Sequence, residues 1–215
     1  MPTPRGLVVD WGGVLTSDIR PSVKRWADKY DVDLSAYVTV MGEWLGPQGE
    51  VEALVNPIHA LERGEMEVPH FEEMLARELA ARTGADIEGA GLLQRMFDEF
   101  EHAHDMNALV RRAHDHGIRT GLLSNSWGDF YPRDLWEGMF DVVVISGEVG
   151  MRKPEAGIFA LTLDQMDLAA EDCVFVDDLR HNIDAAAQLG FIGVHHVSYE
   201  QTLMELEALF GVDLG

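Results

Sequence analysis

Apolar, β-rich runs occur at Leu7 to Val9, Thr120 to Leu123, Val142 to Ile145, Val174 to Val176 and Phe191 to Val197, and predict five strands. Between the later runs the spacing changes to that of a helix. Met106, Leu109, Val110 and Ala113 share one face before Gly117, Pro154 opens a second helix containing Ile158, Leu161 and Leu163, and a third runs from Ile183 through Ala186 and Ala187 to Gly190. Strands alternating with helices imply parallel β-α-β units with right-handed crossovers.

The first strand breaks this rhythm, because roughly a hundred residues separate it from the second, far more than one crossover needs. Within residues 17–102, Val23 to Tyr30, Val51 to Arg63 and Phe71 to Arg82 read as amphipathic helices, broken at Gly46-Pro47, Gly64 and Gly84. The expected architecture is α/β: a core of residues 1–16 and 103–215, with residues 17–102 as a helical cap. Polar residues follow three of the strands directly: Asp10, then Ser124 and Asn125, then Asp177 and Asp178. If the first strand is central, with the second on one side and the fourth on the other, the sheet is doubly wound and Rossmann-like with order 3-2-1-4-5. Its ligand crevice then lies where these residues meet.

Hydrophobic residues make up 47% of the 215 and charged residues 25%, which excludes a disordered or fibrous chain. Sixteen Lys and Arg against 38 Asp and Glu give a net charge of −22. That field repels nucleic acid and anionic membranes, so an anionic small substrate needs a metal ion or a well-placed cation. The single cysteine, Cys173, opens an apolar run and reads as a buried residue rather than a nucleophile. No signal-peptide or membrane-spanning stretch is evident, so a cytoplasmic location is expected.

Four strings in order carry a family resemblance: Asp10-Trp11-Gly12-Gly13-Val14-Leu15, Leu122-Leu123-Ser124-Asn125, Arg152-Lys153-Pro154, and Val176-Asp177-Asp178 followed by Asn182. The sequence resembles the haloacid dehalogenase superfamily, which is dominated by aspartate-nucleophile phosphatases. The resemblance implies that Asp10 attacks phosphorus to give an aspartyl-phosphate, which water hydrolyses. It implies Mg2+ held by Asp10, Asp178 and the Gly12 carbonyl, with Asp177 a further ligand or a supporting acceptor. Ser124 and Asn125 would bind the phosphoryl group, and Lys153 would offset its charge. Arg152 reads as a surface or loop charge.

One position departs from the pattern. The acid that protonates the leaving group in most phosphatases of the superfamily sits two residues after the nucleophile, where this chain has Gly12. Its loss typically costs about 10²- to 10⁴-fold in rate. Asp18, Glu43 and His59 are candidate replacements, and a substrate with a good leaving group is another way out. The expectation is therefore a magnesium-dependent hydrolase acting on a small phosphorylated metabolite. The alternatives are an inert or weak relative that binds a phosphate ligand or a protein partner, and a metal-independent dehalogenase.

Other chemistry-bearing residues read as structural. The histidine pairs His102/His104, His114/His116 and His195/His196 lack zinc-site spacing. His195 and His196 should point to opposite faces of a strand. Ser124 lacks the glycine-flanked elbow of a serine hydrolase. Trp11 should pack under the cap, and Tyr37, Met41 and Trp44 fall at helical spacing within it.

Overall fold

The structure, a computed structural model, describes residues 3–45 and 56–215. Five parallel strands form one sheet: β1 (Gly6–Val9), β2 (Arg119–Ser124), β3 (Val142–Ile145), β4 (Cys173–Asp177) and β5 (Ile192–His195). Their spatial order is β3-β2-β1-β4-β5, so the first strand is central and successive strands are added outward on either side of it. Alternation along β1 sends Leu7 and Val9 to one face and Val8 to the other. The first face is covered by α6 (His104–Asp115) and α10 (Tyr199–Phe210), the second by α8 (Ala156–Met166) and α9 (Arg180–Gln188), while the single-turn α7 (Ser146–Val149) follows β3. Both faces are dry, which is why the strands read as continuous apolar runs rather than alternating ones.

Between β1 and α6 lie α1 (Ile19–Lys29), α2 (Leu34–Leu45), α3 (Pro57–Glu62), α4 (Val68–Thr83) and α5 (Leu92–Phe97). They bury a separate apolar cluster in which Trp26, Val40, Ile58, Phe71 and Leu75 are fully enclosed. Local signals set their ends. The Asn56 side chain accepts from the Ile58 and His59 amides to start α3, with Pro57 in its first turn. Gly84 closes α4 in the left-handed conformation, at φ 72°. The entering and leaving chain segments are tied by a bridge between Thr16 and His102.

The helix expected from Pro154 begins instead at Ala156, because Glu155 before it is extended, at φ −64° and ψ 132°. The expected last strand is shortened to Ile192–His195, since its partner β4 ends at Asp177, opposite His195. Of the helix expected over Val51 to Arg63, residues 51–55 and the break at Gly46-Pro47 lie outside the described residues. Among the described residues, no helix is long and apolar enough to cross a membrane.

Candidate active site at the strand ends

Sheet register builds the site. Val9 pairs with Leu122 on one side and Val176 on the other, so Asp10 leaves β1 beside Asp177, and Ser124 ends β2 next to it. The Asp10 amide donates to the Val176 carbonyl at 2.9 Å. The chain then folds back tightly, with the amides of Val14, Leu15 and Thr16 all directed at the Trp11 carbonyl. Gly13 sits at φ +75°, and a Cβ there would come within 2.5 Å of an Asp178 carboxylate oxygen. Glycine is thus required twice over, by the backbone conformation and by the approach of Asp178.

Asp10, Asp177 and Asp178 each place a carboxylate oxygen within 4.8 Å of the others. Lys153 joins them from the loop before α8, its ammonium 2.9 Å from Asp10 Oδ1 and 2.7 Å from Asp177 Oδ2, and only 1% exposed. Asp177 is the organiser of the group: besides Lys153 it accepts from the Leu179 amide at 2.8 Å and from Asn182 Nδ2 at 3.0 and 3.1 Å. Asp178 is the more open carboxylate, and a cleft of about 970 Å³ borders it together with Gly13, Thr16, Asp18, Arg20 and His195.

Burial pushes the Asp10 carboxyl up to about 7, with Lys153 opposing the shift and Asp177 and Asp178 adding to it. Asp178 is pushed up to about 6, again by burial first and then by Asp177. Burial alone would lower the Lys153 ammonium, but Asp10 and Asp177 outweigh it and hold it above its ordinary value. Three clustered carboxylates, two of them paired with one ammonium, form an electron-rich pocket of hard oxygens. This donor set fits a hard divalent cation such as Mg2+.

Ser124 is buried, and its hydroxyl oxygen accepts from the Tyr131 hydroxyl at 2.9 Å. Asn125 faces Lys153: its Nδ2 donates to the Lys153 carbonyl at 3.0 Å, and its Oδ1 accepts from the Lys153 amide at 2.8 Å. Asn125 therefore fixes the lysine loop. At Gly12 a Cβ would meet nothing within 4 Å, so open space lies where a side chain would stand.

The three candidate replacements for the missing acid are placed differently. Asp18 caps α1 and pairs with Arg20, which keeps its carboxyl below the usual range. Glu43 pairs with Arg82 on α4. Burial, then Arg152 and Arg63, push His59 down to about 4, so it carries no imidazolium proton at neutral pH. Arg152 lies in a loop, as one of its two expected readings had it, but not at the surface. It is nearly buried and paired with Glu62 at the end of α3, which also accepts from Trp127 Nε1 at 3.3 Å. Burial raises the Glu62 carboxyl, against the pull of Arg152.

Trp11 packs between the core and the inserted helices, 4.9 Å from the Tyr131 ring and 6.1 Å from Phe97 and from Phe100. Tyr37 and Met41 are buried within the helical insertion, and Trp44 stacks edge-on to Phe71. His195 bonds the Asp178 backbone oxygen at 2.9 Å, whereas His196 bonds Thr202 Oγ1 at 2.8 Å. Burial pushes the Cys173 thiol up to about 11, away from nucleophilic use. Tyr131 and the Glu62–Arg152 pair escaped sequence reasoning. The pair joins segments 90 positions apart, and Tyr131 lies in an irregular stretch, so neither leaves a spacing signal.

Comparison with known proteins agrees with this geometry. Residues 4–190 match the model of the haloacid dehalogenase-like hydrolases. The chain is 30% identical over 159 residues to acyl-CoA dehydrogenase family member 10 of Mus musculus, covering 71% of this chain and 15% of that protein. It is 33% identical over 111 residues to the sesquiterpene phosphatase AstK of Aspergillus oryzae, covering 49% of this chain and 56% of that one. The chain therefore corresponds to only part of the length of these relatives. A HAD family enzyme of Bacteroides thetaiotaomicron, in complex with magnesium and inorganic phosphate, superimposes with a TM-score of 0.63 at 18% identity, over 90% of this chain and 94% of that one. With the family model spanning most of its length and the sheet order and strand-end acids in place, the chain belongs to the haloacid dehalogenase-like hydrolases.

Proposed function

We propose that the protein is a magnesium-dependent phosphatase of a small phosphorylated metabolite, with Asp10 as the nucleophile. The observation that carries this reading is the cluster of Asp10, Asp177 and Asp178 around the buried Lys153 ammonium. Asp10, Asp178 and the Gly12 carbonyl would hold the cation, while Asp177 serves through Lys153. Bound there, Mg2+ would neutralise charge on the transferring phosphoryl group. The phosphatase relative and the magnesium- and phosphate-bound neighbour support the reading.

The chain's own residues divide the work. Asp10 Oδ1 is held by the Trp11 amide at 2.7 Å and by Lys153, which leaves its other oxygen to attack phosphorus and expel the leaving oxygen. Ser124 donates to a phosphoryl oxygen, and Lys153 balances the charge that gathers in the transition state. Asn125 acts by fixing Lys153. The inserted helices serve as the cap that shapes the substrate space. Water then cleaves the aspartyl-phosphate and regenerates Asp10.

With Gly12 offering no proton, the enzyme favours leaving groups that depart without one, such as acyl or anomeric phosphates. A second reading, a phosphate-binding relative with little turnover, rests on that same glycine. Phosphate release from para-nitrophenyl phosphate separates the two. The expected result is release that requires Mg2+ and is lost, by about 10⁴-fold or more, in Asp10→Asn. Wild-type release no faster than that of Asp10→Asn would sink the phosphatase reading. Because a Cβ at Gly12 meets nothing, Gly12→Asp should fold. It should speed hydrolysis of an alkyl phosphate by about 10²-fold or more while changing the aryl phosphate little.

A further inference from the structure

We infer that Tyr131 is a positioning residue that makes Ser124 a one-way donor toward the transferring phosphoryl group; this rests on the phosphatase reading above. A serine hydroxyl has one proton and can spend it on a neighbour or on a ligand. At Ser124 the oxygen is 2.9 Å from the Tyr131 hydroxyl. A phenol is the better donor of the two and an aliphatic hydroxyl the better acceptor, so the shared proton is tyrosine's. Ser124 itself donates to no acceptor among the described residues, although it is 1% exposed. Its proton is therefore reserved for a phosphoryl group arriving at Asp10.

The ring is fixed independently of this bond. It meets Trp11 edge-on with centroids 4.9 Å apart and Trp136 at 5.4 Å. Trp11 is in turn the residue whose amide holds Asp10 Oδ1. Tyr131 thus spans from the nucleophile loop to the end of β2, setting the serine rotor from a support shared with the nucleophile. Burial raises its hydroxyl above the ordinary range, so it stays protonated and keeps donating.

The test uses orthovanadate, a mimic of the pentacoordinate phosphoryl group, as an inhibitor and a directly titrated ligand in the presence of Mg2+. Tyr131→Phe keeps the ring and its packing and removes only the hydroxyl. Loss of one neutral hydrogen bond predicts about 3- to 10-fold weaker vanadate binding, with a melting temperature lowered by no more than about 2–6 °C. In a Ser124→Ala background the same substitution should have no further effect, since Tyr131 acts only through Ser124. Unchanged vanadate affinity in Tyr131→Phe, or an equal loss in the presence and absence of Ser124, would overturn the assignment while leaving the phosphatase reading intact. Wild-type protein that binds no vanadate with Mg2+ would overturn that reading, and this assignment with it.

Discussion

Two buried carboxylate settings in this molecule look alike by exposure and differ in kind. Glu72, in the inserted helices, is 4% exposed and accepts from the Gly91 and Leu93 amides at 3.0 and 2.9 Å, at the start of α5. Its donors are neutral, and they satisfy a helix end that would otherwise be bare. Asp10 is 7% exposed, but it shares its space with Asp177 and Asp178, and one ammonium serves the group. Burial alone does not mark a working site. Like charges crowded together under burial do, because the fold holds them there at a cost that only a cation or a proton removes.

The largest test of this contrast is Lys153→Met. Removing this buried cation should cost about 3–5 kcal/mol at neutral pH, read from urea unfolding. The loss should shrink on acidification. Asp10 has a folded value raised above its ordinary 3.8, so the folded state binds the extra proton, and stability falls as pH rises from about 4 through the folded value. A loss independent of pH would break the comparison.

Next in size is Glu72→Ala, which strands the buried Leu93 amide and the partly buried Gly91 amide and should cost about 1–3 kcal/mol. Its cost should be indifferent to Mg2+. A magnesium-induced stabilisation altered by Glu72→Ala would show that the two settings are coupled.

The smallest effect is in the unaltered protein. Without the cation, Asp10 at about 7 and Asp178 at about 6 retain protons that the unfolded chain has released. Mg2+ should therefore raise the melting temperature more at pH 7.5 than at pH 5.5, by about 2–4 °C for each kcal/mol of difference in a chain of this size. The same shift at both pH values would argue against these carboxylates as the ligands.

How much of this was legible beforehand follows from the range of each interaction. The strand order and the meeting of Asp10, Ser124, Asp177 and Asp178 could be read because each residue directly follows a short apolar run, and parallel register does the rest. The role of Asn125 was only partly legible: its place after β2 was plain, but its turn toward Lys153 depends on where a loop 28 positions away comes to lie. Helix α10 was less legible although Ser198 caps it and Leu206 and Phe210 bury one side, because the apolar run from Phe191 to Val197 continues up to its cap and hides where the strand ends. Tyr131 lies in an irregular segment, where periodicity carries no signal and only the folded contact with Trp11 and Ser124 gives it meaning.

The Glu62–Arg152 pair acts as a mechanical linkage. Glu62 belongs to the inserted helices and Arg152 is bonded directly to Lys153, so the charge that faces the nucleophile is one peptide unit from the insertion's anchor. Any swing of the helices must either separate two charges held away from water or pull the lysine loop along. Position of the insertion and alignment of the ammonium are therefore coupled through this pair.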